Sequence, residues 1–309
     1  MKLVFLDRKT LGKDINLDQF YKLADVKIYQ TTTAEQTLTR VKDADIVITN
    51  KVVIDKQIME QSNIKLICIT ATGTDNVDIK YAKEKGIVVK NVAGYSTSSV
   101  AQVTIAHVLH FVQKLNSYIK YIEDENWERS DIFTYIDVPF HELKNKKWGI
   151  IGLGTIGTKV AQIAESFDCE VNYYSTSGKN NNTKYNRLTL EELMSTSDII
   201  TIHSPLTNTT YNMINKTYLN MMKEDAILVN VGRGGIINES DLAKKIDSDK
   251  SLYCGLDVLE HEPMKRDNPL NKIRNKDRII ITPHIAWGSV ESRNRLIKMV
   301  FDNVKEYIV

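Results

Sequence analysis

Residues 148–157 decide the fold, and they read Trp-Gly-Ile-Ile-Gly-Leu-Gly-Thr-Ile-Gly. The apolar run before the glycines predicts a strand, and the spaced apolar residues after them predict a helix. A G-x-G-x-x-G turn between a strand and a helix is typical of a dinucleotide site. Gly152 permits the tight turn, Gly154 lets the backbone approach a pyrophosphate, and Gly157 lets helix and strand pack closely. The N–H groups around Thr155 and Ile156 would then hold the phosphate charge.

Strand and helix patterns alternate on both sides of this turn. Before it, five short runs rich in Val and Ile predict the strands Leu3–Leu6, Val26–Tyr29, Ile46–Thr49, Leu66–Thr70 and Ile87–Val89. From the turn onward, six runs predict the strands Trp148–Ile151, Val171–Tyr174, Ile199–Ile202, Ile227–Val231, Tyr253–Leu256 and Ile279–Ile281. Near-continuous apolar strands separated by helices indicate parallel sheets covered on both faces. The expected fold class is therefore α/β, with two doubly wound parallel-sheet domains.

The helices that join the two runs set the domain boundaries. One long helical pattern extends from Ser98 to about Tyr121, and an irregular, aromatic segment follows it up to Lys147. The last segment, Val290–Val309, reads as a helix with no strand after it, so we expect it to return to the first domain. The predicted domains are residues 1–98 plus 288–309 and residues 99–287.

Composition excludes several classes of protein. The 309 residues suit two domains of about 150 residues each, and a formal net charge of +2 offers no field for nucleic acid or an anionic membrane. The apolar start breaks at Asp7, too early for a secretory signal. Cys68, Cys169 and Cys254 are an odd number among apolar neighbours, which favours reduced core thiols over disulfides. A cytoplasmic protein is expected.

The choice of dinucleotide depends on the end of the strand Val171–Tyr174. An acidic residue there binds a free ribose 2′-hydroxyl, but this chain has Ser175, followed by Thr176. Hydroxyls together with Lys179 could hydrogen-bond a 2′-phosphate, although the turn contains no Arg to clamp it. Ser175 could equally serve a ribose hydroxyl, so NAD and NADP both stay open.

Three further strands are followed by residues that suit acid–base chemistry. Arg233 stands between glycines after one buried strand, Asp257 and Glu262 follow the next, and His284 follows the last. The carboxyl ends of parallel strands form the ligand edge of an open α/β sheet. An Arg, an acid and a His from these strand ends could therefore meet around one small substrate.

These segments, taken in order, resemble the D-isomer-specific 2-hydroxyacid dehydrogenases over essentially the whole chain. The resemblance is carried by the glycine turn and by the segments Ala71–Asp78, Asn230–Gly234, Asp257–Pro263 and Thr282–Trp287. The motifs look most like the glycerate dehydrogenase (hydroxypyruvate reductase) branch. The resemblance implies a flavodoxin-like substrate domain, a Rossmann dinucleotide-binding domain and a cleft between them. It also implies hydride transfer between NAD(P)H and a small 2-keto acid, with hydroxypyruvate or glyoxylate as the best candidates.

Residue roles follow from the same resemblance. His284 is carried over as the general acid, Glu262 as its partner, and Arg233 as the residue that binds the substrate carboxylate and carbonyl. Substrate binding would also use the main chain of Thr72, Gly73 and Thr74. The nicotinamide carboxamide of the coenzyme would contact Asp257. The coenzyme would also contact the backbone around Pro205, Val231 and Gly232. No metal is required, because His284 and Arg233 supply both a proton and positive charge.

Alternatives and departures remain at this stage. A phosphoglycerate dehydrogenase is one alternative, and an NAD-sensing partner-binding protein of the corepressor type is another. The long helix and the aromatic segment after it are expected to form a homodimer interface, again by resemblance. Gln102 stands where the family commonly has Glu. The histidines other than His284 are expected to be packing, solvated or loop residues.

Overall fold

The computed structural model describes residues 1–308, and these residues form two compact units. One unit combines Met1–Ser96 with the segment that begins at Trp287. The other unit is continuous, Thr97–Ala286. Among the described residues, none of the helices combines the length and the apolar character that crossing a bilayer requires.

Every strand in the described residues is short and pairs in parallel with its neighbours. In the first unit the strands are β1 Lys2–Phe5, β2 Asp25–Ile28, β3 Ile46–Thr49, β4 Leu66–Ile69 and β5 Val88–Lys90. In the second they are β6 Lys147–Ile151, β7 Glu170–Tyr174, β8 Asn186–Arg187, β9 Ile199–Ile202, β10 Ile227–Asn230, β11 Tyr253–Leu256 and β12 Ile279–Ile281.

Helices connect these strands. The α-helices are α1 Ala34–Val41, α2 Lys56–Glu60, α3 Ile79–Glu84, α4 Thr97–Gln113, α5 Leu115–Glu123, α6 Thr155–Ser166, α7 Leu190–Thr196, α8 Lys216–Met221, α9 Glu239–Ile246 and α10 Val290–Ile308. Short 3-10 helices span Arg8–Leu11, Asp18–Lys22, Gly234–Ile236, Pro269–Lys272 and Lys276–Arg278.

The first unit has the strand order β2-β1-β3-β4-β5, the flavodoxin-like arrangement. Side chains alternate across its buried strands and supply two cores. Ile48 on β3 packs in the core that contains Leu296 and Val300 of α10, whereas Val47 packs in the core that contains Ala82 of α3. The helix α10 therefore completes one face of a sheet whose strands all lie in the first 90 residues.

The second unit has the strand order β12-β11-β10-β9-β6-β7-β8. The order reverses between β6 and β9, and ligands of doubly wound sheets bind at such a reversal, beyond the carboxyl ends of the strands. The glycine turn follows β6, so the fold places it at this edge. The expected class, two doubly wound parallel α/β sheets, is confirmed.

Two local predictions were wrong. The helix expected from Ser98 to Tyr121 is divided into α4 and α5, because Lys114 adopts a left-handed conformation with φ of 48°. The second sheet has a seventh strand, the two-residue β8, which pairs with Asn172 and Tyr173 of β7. Its polar sequence carries none of the apolar signal by which strands are predicted. The C-terminal helix was expected to reach Val309, which lies outside the described residues.

Candidate active site

The glycine turn after β6 has the space and the donors that a pyrophosphate needs. A Cβ on Gly152, which has φ of +92°, would lie 2.9 Å from the main-chain nitrogen of Ser204, and one on Gly157 would lie 2.3 Å from the Gly152 oxygen. A Cβ on Gly154 would meet nothing within 4 Å. The backbone is therefore tight where helix and strands pack and open where a ligand would approach. No side chain caps the α6 N-terminus at Gly154, within the described residues, so its N–H groups suit an anion.

The turn after β7 lies beside the glycine turn. Ser175 is buried, and its hydroxyl accepts a hydrogen bond from the Asn180 main chain at 3.3 Å. The Asn180 side chain in turn donates to the Leu153 oxygen at 2.5 Å, so it links the two turns. Arg187 of β8 reaches this region: its Nη2 lies 3.8 Å from the position of a Cβ on Gly178. The turn itself contains no Arg, as the sequence shows, but β8 brings Arg187 to it from beyond the turn, which the sequence did not predict.

Asn230 at the end of β10 fixes the loop that carries Arg233. Its fully buried side chain donates from Nδ2 to the Arg233 oxygen at 2.8 Å, and its Oδ1 accepts from the Gly232 N–H at 3.0 Å. The Arg233 guanidinium donates from Nη1 to the Gly232 oxygen at 2.9 Å. A Cβ on Gly232 would lie 3.0 Å from the Ser204 oxygen, so this loop runs close to the end of β9. One buried amide thus sets the conformation of the whole turn.

Glu262 and His284 form a close pair. The distance from the His284 Nδ1 to the Glu262 Oε2 is 2.6 Å, and both side chains are partly exposed, 28% and 32%. The other Glu262 oxygen accepts from the Leu259 N–H at 3.0 Å, which orients the carboxylate. Because Nδ1 faces the carboxylate, Nε2 is the nitrogen that can serve a substrate. The pair has the form of a general acid steadied by an anion.

The backbone at His284 is held in an unusual conformation. Its φ is 54°, in the left-handed region, where a non-glycine residue costs about 1–3 kcal/mol. Asp257 stabilises this conformation: Oδ1 accepts from the Ile285 N–H at 2.9 Å and Oδ2 from the Ala286 N–H at 2.8 Å. The Thr282 hydroxyl also donates to Asp257 Oδ1, at 2.6 Å. The buried Asp257 therefore holds the main chain that follows His284 and the Thr282 side chain that precedes it.

The loops that carry Arg233 and Glu262 pack against each other. A Cβ on Gly234 would lie 1.9 Å from the Leu259 carbonyl carbon, so backbone meets backbone there. Glu239, which is 8% exposed, ties the second loop down: it accepts from the Glu260 N–H at 2.7 Å and from Asn268 Nδ2 at 2.6 Å. Neither Glu239 nor Asn230 was singled out as a site residue. Their signal, a polar residue at a strand end or helix start, is common to many capping residues.

In the first unit, the loop after β4 holds Thr72, Gly73 and Thr74. The Thr72 hydroxyl donates to the Val92 oxygen at 2.9 Å, and its carbonyl accepts from Asn91 Nδ2 at 2.7 Å. The main-chain N–H groups of residues 72–74 donate to no acceptor in the described part of the chain. The Thr72 side chain anchors the loop, and the N–H groups of residues 72–74 stay available as donors. Such a loop is suited to bind a carboxylate.

The other histidines occupy different settings. His110, His141 and His261 are partly or fully exposed. His203 has both ring nitrogens buried, and burial lowers its pKa to about 3, so it is neutral. His107 is buried on α4, and burial lowers its pKa as well. Its Nε2 lies 3.3 Å from the Thr282 hydroxyl, a contact that the sequence did not predict.

Comparison with known proteins identifies the family. The profile described as "D-isomer specific 2-hydroxyacid dehydrogenase, NAD binding domain" matches residues 105–286. The chain belongs to this family. Residues 105–286 of the dehydrogenase coincide closely with the continuous unit that contains the glycine turn. The dehydrogenase is thus an oxidoreductase that acts on CH–OH donors with a nicotinamide dinucleotide, as the resemblance predicted.

Full-length relatives agree with this assignment. The dehydrogenase is 37% identical to a hydroxypyruvate reductase of Blautia hydrogenotrophica, over 100% of this chain and 97% of that protein. It is 33% identical to a glycerate dehydrogenase of Methylorubrum extorquens, over 99% and 96%. Among solved structures, it is similar to a D-lactate dehydrogenase from Aquifex aeolicus complexed with NAD and lactic acid. That similarity has a TM-score of 0.86, with 26% identity over 100% of this chain and 95% of the other.

Proposed function

We propose that this dehydrogenase reduces hydroxypyruvate to D-glycerate, with glyoxylate as a second substrate. The observation that carries the proposal is the 2.6 Å contact between His284 and Glu262, at the carboxyl edge of a sheet with a dinucleotide turn. The names of the hydroxypyruvate reductase and glycerate dehydrogenase relatives support the substrate. These two names describe the two directions of one reaction.

The residue roles follow from charge and geometry. Reduction builds negative charge on the keto oxygen, which therefore needs a proton. His284, in its imidazolium form, donates this proton from Nε2. Glu262 holds the ring through Nδ1 and balances the positive charge. Arg233 binds the substrate carboxylate and polarises the carbonyl through its planar donors. The N–H groups of residues 72–74 bind the carboxylate, so the first unit is the substrate domain and the second the dinucleotide-binding domain.

The second unit fits a nicotinamide dinucleotide. The open face of Gly154 and the α6 N-terminus would hold the pyrophosphate, with Gly152, Thr155, Ile156 and Gly157 forming the turn. Asp257 keeps a lone pair on Oδ2 that can accept from the carboxamide, while the backbone of Pro205, Val231 and Gly232 would line the site. When bound, the reduced coenzyme supplies the hydride for the keto carbon.

We further propose that the coenzyme site accepts NADPH as well as NADH. The end of β7 carries the hydroxyls of Ser175 and Thr176. A carboxylate at this position would repel a 2′-phosphate, whereas hydroxyls do not. Arg187 and Lys179 place positive charge beside this turn. Planar guanidinium donors suit a phosphate well. We expect Arg187→Gln to raise the KM for NADPH several-fold and to leave the KM for NADH within about twofold, because it removes one charge-assisted hydrogen bond. Equal changes for both coenzymes would exclude Arg187 from 2′-phosphate binding.

One experiment tests the proposed function directly. Nicotinamide absorbance is followed with hydroxypyruvate, glyoxylate, pyruvate and phosphohydroxypyruvate, each with NADH and NADPH, and kcat/KM is reported for every pair. We expect hydroxypyruvate to give the highest kcat/KM. A preference for phosphohydroxypyruvate would instead make the protein a phosphoglycerate dehydrogenase. Dinucleotide binding without turnover of any keto acid would favour the corepressor-like role.

We also propose a homodimer. The helix α5 buries none of its residues, and Leu115, Ile119 and Ile122 are each more than half exposed. In the segment that follows, Phe133 is 88% exposed and Ile136 is 71% exposed. Apolar patches of this kind mark protein interfaces. Light scattering should give twice the chain mass, and Ile119→Glu should lower it. A monomer at micromolar concentration would exclude the dimer.

The thiols support a cytoplasmic location, which we propose on that ground. All three cysteines are free and buried. Burial raises the pKa of Cys68 to about 12 and that of Cys169 to about 11, so they stay protonated and inert at neutral pH. Reduced, unpaired thiols fit a reducing compartment. Subcellular fractionation with an antibody against the chain would test this location.

A further inference from the structure

We propose that His107 on α4 is a positioning residue for the segment that carries His284, and the inference rests on the proposed function of His284. The helix α4 contacts this segment at both ends. Ser99 donates a hydrogen bond from Oγ to the Ala286 oxygen at 2.6 Å, and His107 Nε2 lies 3.3 Å from the Thr282 hydroxyl. Both α4 side chains are buried.

The hydrogen-bond directions define the state of the His107 ring. The Thr282 hydroxyl donates its proton to Asp257 Oδ1 at 2.6 Å, so its oxygen can only accept from His107. His107 therefore carries its proton on Nε2. Its Nδ1 is buried without a hydrogen-bond partner in the described residues, so a second proton there would be unsatisfied. Burial lowers the pKa of His107, in agreement with a neutral ring.

The result is a one-way chain of donors, from His107 through Thr282 to Asp257. Asp257 then accepts the N–H groups of Ile285 and Ala286 and so stabilises the left-handed conformation at His284. Without His107, the Thr282 hydroxyl could turn away from Asp257, and the carboxylate would lose its fixed orientation. This series of hydrogen bonds thus links α4, which carries none of the reacting groups, to the backbone at the general acid His284.

The strand next to His107 is built to admit its ring. Gly255 lies inside β11, where glycine weakens a strand and often marks a close approach. A Cβ on Gly255 would lie 2.8 Å from His107 Nδ1 and 3.0 Å from its Cβ. The glycine at this position and the histidine on α4 therefore fit each other. This packing is independent of the hydrogen bonds to Thr282.

Three variants test the proposal. His107→Leu keeps an apolar side chain in the space but removes the donor, His107→Gln restores an N–H donor, and Thr282→Val removes the middle of the chain. We expect His107→Leu and Thr282→Val each to lower kcat roughly tenfold, since small misplacements of a reacting group are costly. We expect the KM for the keto acid to change less than threefold, because the residues that bind it are untouched. His107→Gln should recover most of kcat, and the double variant should be no worse than either single variant.

His110→Leu is the matched control. His110 lies one turn further along α4, is half-buried, and packs its ring edge-on against Phe111. The variant should keep kcat within about twofold, because it breaks no hydrogen bond to residues 282–286 in the described structure. Thermal midpoints of all variants separate loss of fold from loss of positioning.

The outcomes are distinct. If the unmodified enzyme turns over no keto acid, the proposed function fails and this inference with it. If the unmodified enzyme is active and His107→Leu keeps its kcat, the proposed function stands and the positioning role is wrong. Additive losses in the double variant, or a His107→Gln variant as slow as His107→Leu, would likewise contradict the chain of donors.

Discussion

The two sheets end in loops that offer different chemistry. At the edge of the seven-stranded sheet, Arg233, Glu262 and His284 present side chains, and buried polar groups such as Asn230 and Asp257 hold their main chain in place. At the edge of the five-stranded sheet, the loop at residues 72–74 presents main-chain N–H groups, and side chains serve only to anchor it. Substitution of Arg233, Glu262 or His284 should therefore abolish the reaction, whereas substitution in the loop at residues 72–74 should only weaken substrate binding.

The largest effect is expected from His284→Ala. It removes the proton donor, and a positioned general acid contributes about 10²–10⁴-fold to the rate, so kcat should fall by that factor. Arg233→Ala should lower kcat/KM to a similar degree through loss of carbonyl and carboxylate binding. Stopped-flow and steady-state kinetics measure both variants. Dinucleotide affinity, from nicotinamide fluorescence, should stay within about threefold. Loss of coenzyme binding in Arg233→Ala would show that Arg233 binds the coenzyme and not the substrate, contrary to our proposal.

Glu262→Gln should have a smaller effect. The amide keeps the shape of the side chain but loses the charge, and a hydrogen bond to a charged group is worth about 1.5–3 kcal/mol, so kcat should fall about 10- to 150-fold. Glu260→Gln is the control, because its carboxylate lies two residues away and, within residues 1–308, accepts a hydrogen bond only from the Tyr211 hydroxyl, at 2.9 Å. Its kcat should stay close to that of the unmodified enzyme. Equal losses in both variants would point to general damage to the loop.

The pH dependence of stability should also separate the units, since all six histidines lie in residues 107–284. Burial lowers the pKa of His203 to about 3, whereas an unfolded histidine titrates near 6.5. The unfolded chain thus binds the extra proton, and the free energy of unfolding should fall as the pH drops from about 6.5 towards 3. His203→Asn should reduce this slope by about 1.4 kcal/mol per pH unit. Urea unfolding of the variant and of the unmodified protein between pH 6 and 4.5 measures the difference in slope.

The smallest effect is expected at the first unit's loop. Thr72→Val removes the hydrogen bond to the Val92 oxygen, worth about 0.5–1.5 kcal/mol, so the KM for the keto acid should rise about 2- to 12-fold with little change in kcat. Thr74→Val is the matched control, because the Thr74 hydroxyl makes no hydrogen bond in residues 1–308. A collapse of kcat in Thr72→Val would mean that the two loops do not differ as described.

Most of the architecture could be predicted from the sequence, because buried parallel strands are near-continuous apolar runs. Ile46–Thr49 and Ile199–Ile202 were located to the residue for this reason. The break at Lys114 could not be predicted, since lysine is an ordinary helix former and nothing in the local sequence marks a left-handed residue there. The strand Asn186–Arg187 was missed because it is polar and pairs only at the sheet edge.

The candidate site was predicted less evenly. Arg233, Glu262 and His284 follow apolar strands, and their motifs resemble a known family, so the sequence identified them. The groups that hold them, Asn230 and Glu239, act through main-chain contacts with distant loops, which no local pattern encodes. The sequence predicts only a packing or solvated role for His107. Its link to Thr282 could not be predicted, because it joins positions 175 residues apart.

The position of α10 has a consequence for synthesis on the ribosome. Four of its apolar residues, Leu296, Ile297, Val300 and Val304, are at most 3% exposed within the first unit, and burying them contributes on the order of 6–12 kcal/mol. That is comparable with the whole stability of a typical domain, about 5–15 kcal/mol. During synthesis, the first hundred residues therefore lack the α10 side of their core until the second unit and α10 have emerged. The core of Met1–Ser96 is therefore completed only after the second unit has been synthesised, and a holdase chaperone would bind the apolar sheet face that α10 later covers.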